Sequence, residues 1–185
     1  MARNTTSSGG SGKLVLGILL GVLLVAVVGF VYLRFGPLPV ATADKPFPLE
    51  QMIVGFPLHA RIDSEMKTPP FGTSEDVFES GARIYRKDCA SCHGIPGHDV
   101  NFAKYMYPVA PPLWQKHTHG TKSHVGVSDD EPGETYWKVA NGLRLTGMPA
   151  YQHILSTTEM WQVSLLLANA DKELPDPVKA ILTAP

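Results

Sequence analysis

Cysteine is almost absent from this sequence. Two thiols among 185 residues cannot make a disulfide framework, so the chain is not stapled as small secreted domains are. An excess of charge is missing as well: 16 basic and 17 acidic side chains leave a formal net charge of −1. That balance excludes the broad basic footprint of a nucleic-acid-binding protein, and no nucleic acid is expected among the partners. Glycine and proline, 17 and 16 residues, stay below the roughly 25–30% that marks a disordered low-complexity chain. Part of the sequence therefore folds, and its length suits one domain with appendages rather than two catalytic domains. No stretch of any length alternates apolar and polar residues as a half-buried strand would, so an all-α chain is expected. A small helical core without disulfides points to a cofactor as its stabiliser.

Charge is locally absent in one place. Residues 14–33, LVLGILLGVLLVAVVGFVYL, hold no ionisable group except the terminal-turn Tyr32, and as a helix they span about 30 Å, the thickness of a bilayer core. This predicts a transmembrane anchor over residues 13–35. Arg3 and Lys13 precede it with no acid beside them, which places residues 1–12 on the cytoplasmic side. A cleaved signal peptide competes, because Ala41-Thr42-Ala43 has a small-x-small pattern; the run is longer than a signal h-region, and Pro37 and Pro39 separate it from that site. Gly17 and Gly21 form a GxxxG step that would let another helix approach, although glycine is common in membrane helices in any case.

Between Gly36 and Thr73 stand Pro37, Pro39, Pro46, Pro48, Pro57, Pro69 and Pro70. Proline at that density predicts an extended linker over residues 36–73, without a long helix. The stretch also carries Met52, Ile53, Val54, Phe56 and Leu58, too apolar for a freely solvated spacer. It is expected to pack against the following domain, 74–185, or against a neighbouring membrane-complex subunit.

The two cysteines lie in Asp88-Cys89-Ala90-Ser91-Cys92-His93-Gly94, which contains CxxCH, the attachment pattern of a c-type haem. Two thiols one helical turn apart can add to the two vinyl groups of one porphyrin, and the next residue, His93, is placed to bind its iron. A CxxC redox pair would need a βαβ surround that this region lacks, and a structural zinc site would need a second Cys or His pair. One covalent haem c, held by Cys89 and Cys92, is therefore expected. An electron carrier needs a second axial ligand from further along the chain. Met148 is the candidate, in Asn141-Gly142-Leu143-Arg144-Leu145-Thr146-Gly147-Met148-Pro149, because Gly147 permits a turn before it and Pro149 disfavours helix at it. Most methionines fill gaps in a core, and Met106, Met160, Met52 and Met66 are poorer candidates.

With CxxCH early, a late methionine, Gly81 and Tyr85 before the motif, Gly94 after it, Ala110-Pro111-Pro112-Leu113, the Asn141–Pro149 segment and Trp161, residues 74–175 resemble class I (mono-haem) cytochrome c. The resemblance implies an all-α haem domain. It also implies that His93 and Met148 ligate the iron, that the carbonyl of Pro111, or of Pro112 beside it, accepts a hydrogen bond from His93, and that Tyr85 and Leu113 are haem-binding residues.

The helical pattern agrees. Thr73 and Asp76 form a [ST]xx[DE] start ahead of Phe78, Gly81, Ala82 and Tyr85 on one face. A middle helix near Pro132–Asn141 has proline in its first turn and Gly142 past its end. Ser156 and Glu159 start a last helix, Met160–Asn169, with Trp161, Leu165 and Ala168 on one face. The first and last helices are expected to cross at Gly81. Trp114, Tyr105, Tyr107 and Arg144 are haem-edge or propionate candidates by position, with core packing the ordinary reading of the aromatics. His117, His119 and His124 raise a metal-site reading, but Gly120, Thr121, Lys122 and Ser123 around them read as an exposed loop. His98 and His153 are read as ordinary surface or partly buried residues.

These features together predict a single-pass protein of the bacterial cytoplasmic membrane, inserted through residues 14–33, with its haem domain on the periplasmic side. It would pass single electrons to redox partners or to other subunits of a respiratory or photosynthetic complex. No catalytic residue is assigned. A haem-based sensor or enzyme with an exchangeable sixth ligand is the rival, and an interaction protein whose anchor and linker hold a complex together is a third reading.

Overall fold

The computed structural model describes residues 9–184. Of the expected cytoplasmic tail 1–12, residues 1–8 lie outside the described residues, and the rest begins the first helix. The chain divides into two compact units, one ending at Phe47 and the other beginning at Pro48.

The first unit is dominated by α1, Gly9–Phe35. Its 27 residues would measure about 40 Å along the axis. An 18-residue stretch within it has a mean hydropathy of 3.1, and with its position near the N-terminus the helix fits a membrane span or a signal sequence by length and composition. A Cβ added at Gly17, Gly21 or Gly29 would meet nothing within 4 Å. After the helix the Asp44 carboxylate accepts hydrogen bonds from the N–H groups of Val40 and Ala41, both at 2.9 Å.

The second unit opens with a departure from the expected extended linker. Residues 50–65 form a helix, α2, Glu50–Glu65, with Pro57 inside it. Proline removes one intrahelical hydrogen bond and crowds the preceding turn, and here tertiary contacts outweigh that cost. Ile62 is 1% exposed, the Trp137 indole donates to Glu65 at 2.8 Å, and the Arg61 guanidinium sits 5.8 Å from the Trp137 ring centroid. Met66 and Lys67 then press against Gly133, where a Cβ would fall 2.2 Å from the Lys67 carbonyl oxygen. Residues 48–73 thus belong with the haem-motif unit rather than bridging to it.

Helix α3, Glu75–Ile84, is capped one residue later than the sequence pattern indicates: the Ser74 hydroxyl accepts the Val77 N–H at 3.3 Å. A π-helical turn, Tyr85–Cys89, leads into the short α4, Ala90–His93. Residues 101–105 make a 3₁₀ turn. A two-stranded antiparallel hairpin follows, β1 Lys116–His119 and β2 Lys122–Val125, with His117 opposite His124. This corrects the expectation of no strands: both are short, polar and largely exposed, so burial never imposed the alternation that signals a strand.

Helix α5, Pro132–Asn141, has proline at its start and Gly142 as its C-cap. Helix α6, Thr157–Leu167, begins with a complete Ser156/Glu159 capping box, and α7, Asp176–Thr183, adds Val178 and Leu182 to the core. The core is helical. Ala82 and Tyr85 of the first strip meet Met160, Trp161, Val163, Leu166 and Leu167 of α6, with Tyr136 stacked on Trp161 at 4.0 Å.

The α3–α6 crossing depends on Gly81. A Cβ there would lie 2.5 Å from the Gln162 carbonyl oxygen, a backbone atom with little room to yield. Gly81→Ala gains up to about 1 kcal/mol of helix propensity, but overpacking typically costs about 1–3 kcal/mol and sometimes more. The variant is expected to unfold at lower urea concentration than the parent. An unchanged midpoint would show that the crossing relaxes freely.

Candidate functional site

The CxxCH segment is aimed by the residues just before it. Tyr85 is fully buried and donates its hydroxyl to the Gly94 carbonyl at 2.7 Å, so the chain is gripped on both sides of the motif. Burial pushes this phenol far above its ordinary pKa. The π-helical turn that follows widens the helix and sets Cys89 beside the core. Cys89 and Cys92 are both free and half-buried. Burial first, then the charges of Asp88 and Cys92, pushes the Cys89 thiol up to about 12.

His93 Nδ1 lies 2.8 Å from the Pro111 carbonyl oxygen. A carbonyl only accepts, so Nδ1 carries the proton and Nε2 of the neutral ring keeps its lone pair. Burial holds this imidazole below its ordinary pKa, opposed by the bond to Pro111. The Leu113 N–H donates to the His93 carbonyl at 3.3 Å, and its side chain is buried in the core. Pro111, and not Pro112, is therefore the carbonyl on the ring. Trp114 packs edge-on against Tyr85, centroids 5.6 Å apart. Its buried indole N–H leans toward the Tyr85 hydroxyl without making a well-formed hydrogen bond.

The Met148 segment is a closed loop. Gly142, at φ 65°, lies so close to the chain that a Cβ would fall 2.7–2.8 Å from backbone atoms of Met148, Pro149 and Ala150. Leu143 N–H donates to the Met148 carbonyl at 3.3 Å. The Thr146 hydroxyl donates to the Leu143 carbonyl at 2.7 Å and accepts the Met148 N–H at 3.0 Å. Met148 itself is half-buried against the core. Tyr151 donates to the Asp88 carbonyl at 2.6 Å, tying this loop to the residue before Cys89. Sequence reasoning gave Thr146 and Tyr151 no role; a hydroxyl two residues before Met148 was the available signal for a side-chain-closed turn.

Other candidates fall elsewhere. Arg144 is exposed, as is Tyr105 at 73%. The Tyr107 hydroxyl bonds to the Glu50 carboxylate at the start of α2. Met106 places its methyl carbon near Gly147, beside the Met148 loop.

Residues 76–165 match the family model described as Cytochrome C oxidase, cbb3-type, subunit III. The segment is a class I mono-haem cytochrome c domain. No curated protein matches the chain. A cytochrome c domain carries covalently bound haem c and transfers electrons, and Cys89 and Cys92 stand in its CxxCH motif.

The polar hairpin is a separate feature of the cytochrome c domain. Its register puts His117 and His124 opposite each other, with ring centroids 6.1 Å apart. Asp129 joins the strand ends: His119 Nδ1 lies 3.0 Å from one carboxylate oxygen and His117 Nε2 3.6 Å from the other. Among the described residues no group of three or more His, Cys, Asp or Glu side chains converges to hold a metal ion. Here the histidines meet a carboxylate instead.

Burial raises the Asp129 pKa, but the His119 hydrogen bond, its own backbone N–H and the nearby His124 and His117 outweigh it, leaving the carboxyl below 3.8. The folded state then binds fewer protons than the unfolded state just below that value, so the group's contribution is full above about pH 4 and fades as pH falls. Asp129→Asn is expected to cost on the order of 1 kcal/mol at pH 5–7. Urea unfolding at stepped pH should show the gap from the parent closing toward about pH 2; a constant gap would refute the assignment.

Proposed function

We propose that this chain is a membrane-anchored c-type cytochrome of the bacterial cytoplasmic membrane, in which α1 is the anchor and residues 74–185 contain the haem-binding core. Cys89 and Cys92 would form the thioethers, His93 Nε2 and the Met148 sulfur would bind the iron, and the domain would face the periplasm. The observation that carries this reading is the hydrogen bond from His93 Nδ1 to Pro111, which leaves Nε2 as the ring's only lone pair. Bound haem supplies a one-electron ferric–ferrous couple at a potential raised by thioether ligation.

The residues present fit that group. Two free half-buried thiols, a neutral imidazole with one nitrogen committed, a thioether on a closed loop and an indole N–H in want of an acceptor suit a porphyrin with acidic side chains. Pro111 and Leu113 hold the His93 ring and backbone, so the imidazole cannot swing away. Thr146 and Leu143 hold the Met148 backbone. Both ligands are then kept in place through a change of charge, which keeps reorganisation small and favours electron transfer over substrate binding. The exchange partners would be redox proteins or other subunits of a membrane complex, of respiratory or photosynthetic type. The domain's 10 basic and 13 acidic residues over 74–185 give no general basic docking face.

Met148→Ala is the direct test, read by absorption and redox titration of the purified holoprotein. The thioether-to-iron band of the ferric form should vanish, the potential should fall, and carbon monoxide should bind the ferrous form at neutral pH, which the parent resists. A thioether band that survives the substitution would transfer the ligand role to another methionine, with Met106 the nearest. A parent that binds carbon monoxide readily would favour the sensor reading.

A further inference from the structure

Helix α2 is apolar on two opposite faces, and only one of them is covered. At 100° per residue, Gly55, Leu58 and Ile62 share a side, and that side meets the cytochrome c unit: Ile62 is 1% exposed, with the Glu65–Trp137 bond at its end. Leu49, Met52, Ile53 and Phe56 lie at i, i+3, i+4 and i+7 on the other side. They are 65%, 62%, 57% and 80% exposed. An uninterrupted apolar stripe of this kind is uncommon on a free soluble surface and marks an interface.

We infer that this outer face lies in the headgroup–acyl boundary of a lipid bilayer, with α2 parallel to the membrane and the cytochrome c domain riding on its inner face. The inference rests on the reading of α1 as a membrane anchor. Three observations favour lipid over a protein partner. The tether is short: residues 36–49 separate α1 from α2, and 14 residues reach at most about 50 Å, so α2 is held permanently within range of the bilayer. The four stripe residues Leu49, Met52, Ile53 and Phe56 carry no polar side-chain group, and the first charged residue in phase with them is Asp63, two turns beyond Phe56, which leaves few polar groups on the stripe for the specific hydrogen bonds of a protein interface. Exposed apolar side chains also continue into the tether, with Val40 at 92% and Phe47 at 43%. Glu50, Asp63 and Glu65 against Arg61 leave α2 with a net charge of −2, so its outer face would bind the interface through apolar area and not through attraction to anionic lipid.

The test uses the full haem-loaded chain in phosphatidylcholine vesicles, with single nitroxide labels at Phe56→Cys, Ile53→Cys, Leu24→Cys in α1 and Asp171→Cys in an exposed loop. Collision rates with oxygen, which concentrates in lipid, and with a water-soluble nickel chelate give the depth of each label. Positions 53 and 56 are exposed, so the substitutions leave the fold intact. The expected result is an oxygen-to-nickel ratio at 53 and 56 several-fold above that at 171 and below that at 24. Ratios at 53 and 56 equal to that at 171, with 24 deep in lipid, would overturn the inference and leave the anchor standing. Labels at 53 and 56 shielded from both reagents would mean a protein covers the stripe, which also overturns it. A water-accessible label at 24 would instead refute the anchor.

Discussion

Two backbones come into contact where α3 crosses α6, and the position of every group in the haem motif follows from that contact. With no side chain at Gly81, the Gln162 carbonyl takes the space a Cβ would fill. The crossing brings Tyr85, one turn further on, into the core, and its hydroxyl then reaches over the motif to Gly94. The same placement fixes where the π-helical turn releases Cys89 and where α4 presents His93. A one-residue slip along this crossing would move the thiols, the imidazole and the Pro111 carbonyl together, so the crossing geometry is a condition of the site rather than a background to it.

The Met148 segment is held by different means. No close helix crossing places Met148; short-range hydrogen bonds through Thr146 and Leu143 do, and Gly142 lets the loop fold back on the end of α5. The Met148 segment is joined to the haem motif by Tyr151, whose hydroxyl reaches the backbone of Asp88 across 63 residues of sequence. A close helix crossing and a self-closed loop, linked at one half-buried hydrogen bond, fix the backbones of both candidate ligands.

Elements that carry their own local code were legible in the sequence. The Ser156/Glu159 capping box, Pro132 with Gly142, the apolar run of α1 and the CxxCH motif each use short-range chemistry, and each appears where the pattern puts it, within a few residues. The Pro111 carbonyl was reachable through family resemblance alone, since nothing near it in sequence points to His93. Helix α2 was hidden because its local code says the opposite. Pro57 argues against a helix, and what stabilises it, Ile62 in the core and Glu65 on Trp137, comes from residues far along the chain. The hairpin was hidden for a related reason: its Lys, His, Thr and Ser residues bury nothing, and Asp129, beyond both strands, ties it together.

One consequence concerns the order in which the chain is made. Helix α6 contributes seven buried residues, from Met160 to Leu167, and neither α3 nor α5 can complete its packing without it. A ribosome delivers it almost last, some 70 residues after Cys89 and Cys92 have emerged. Until then no packed core surrounds the paired thiols, and the milieu that makes Cys89 so reluctant to ionise arrives only when the last helices of the polypeptide close the core.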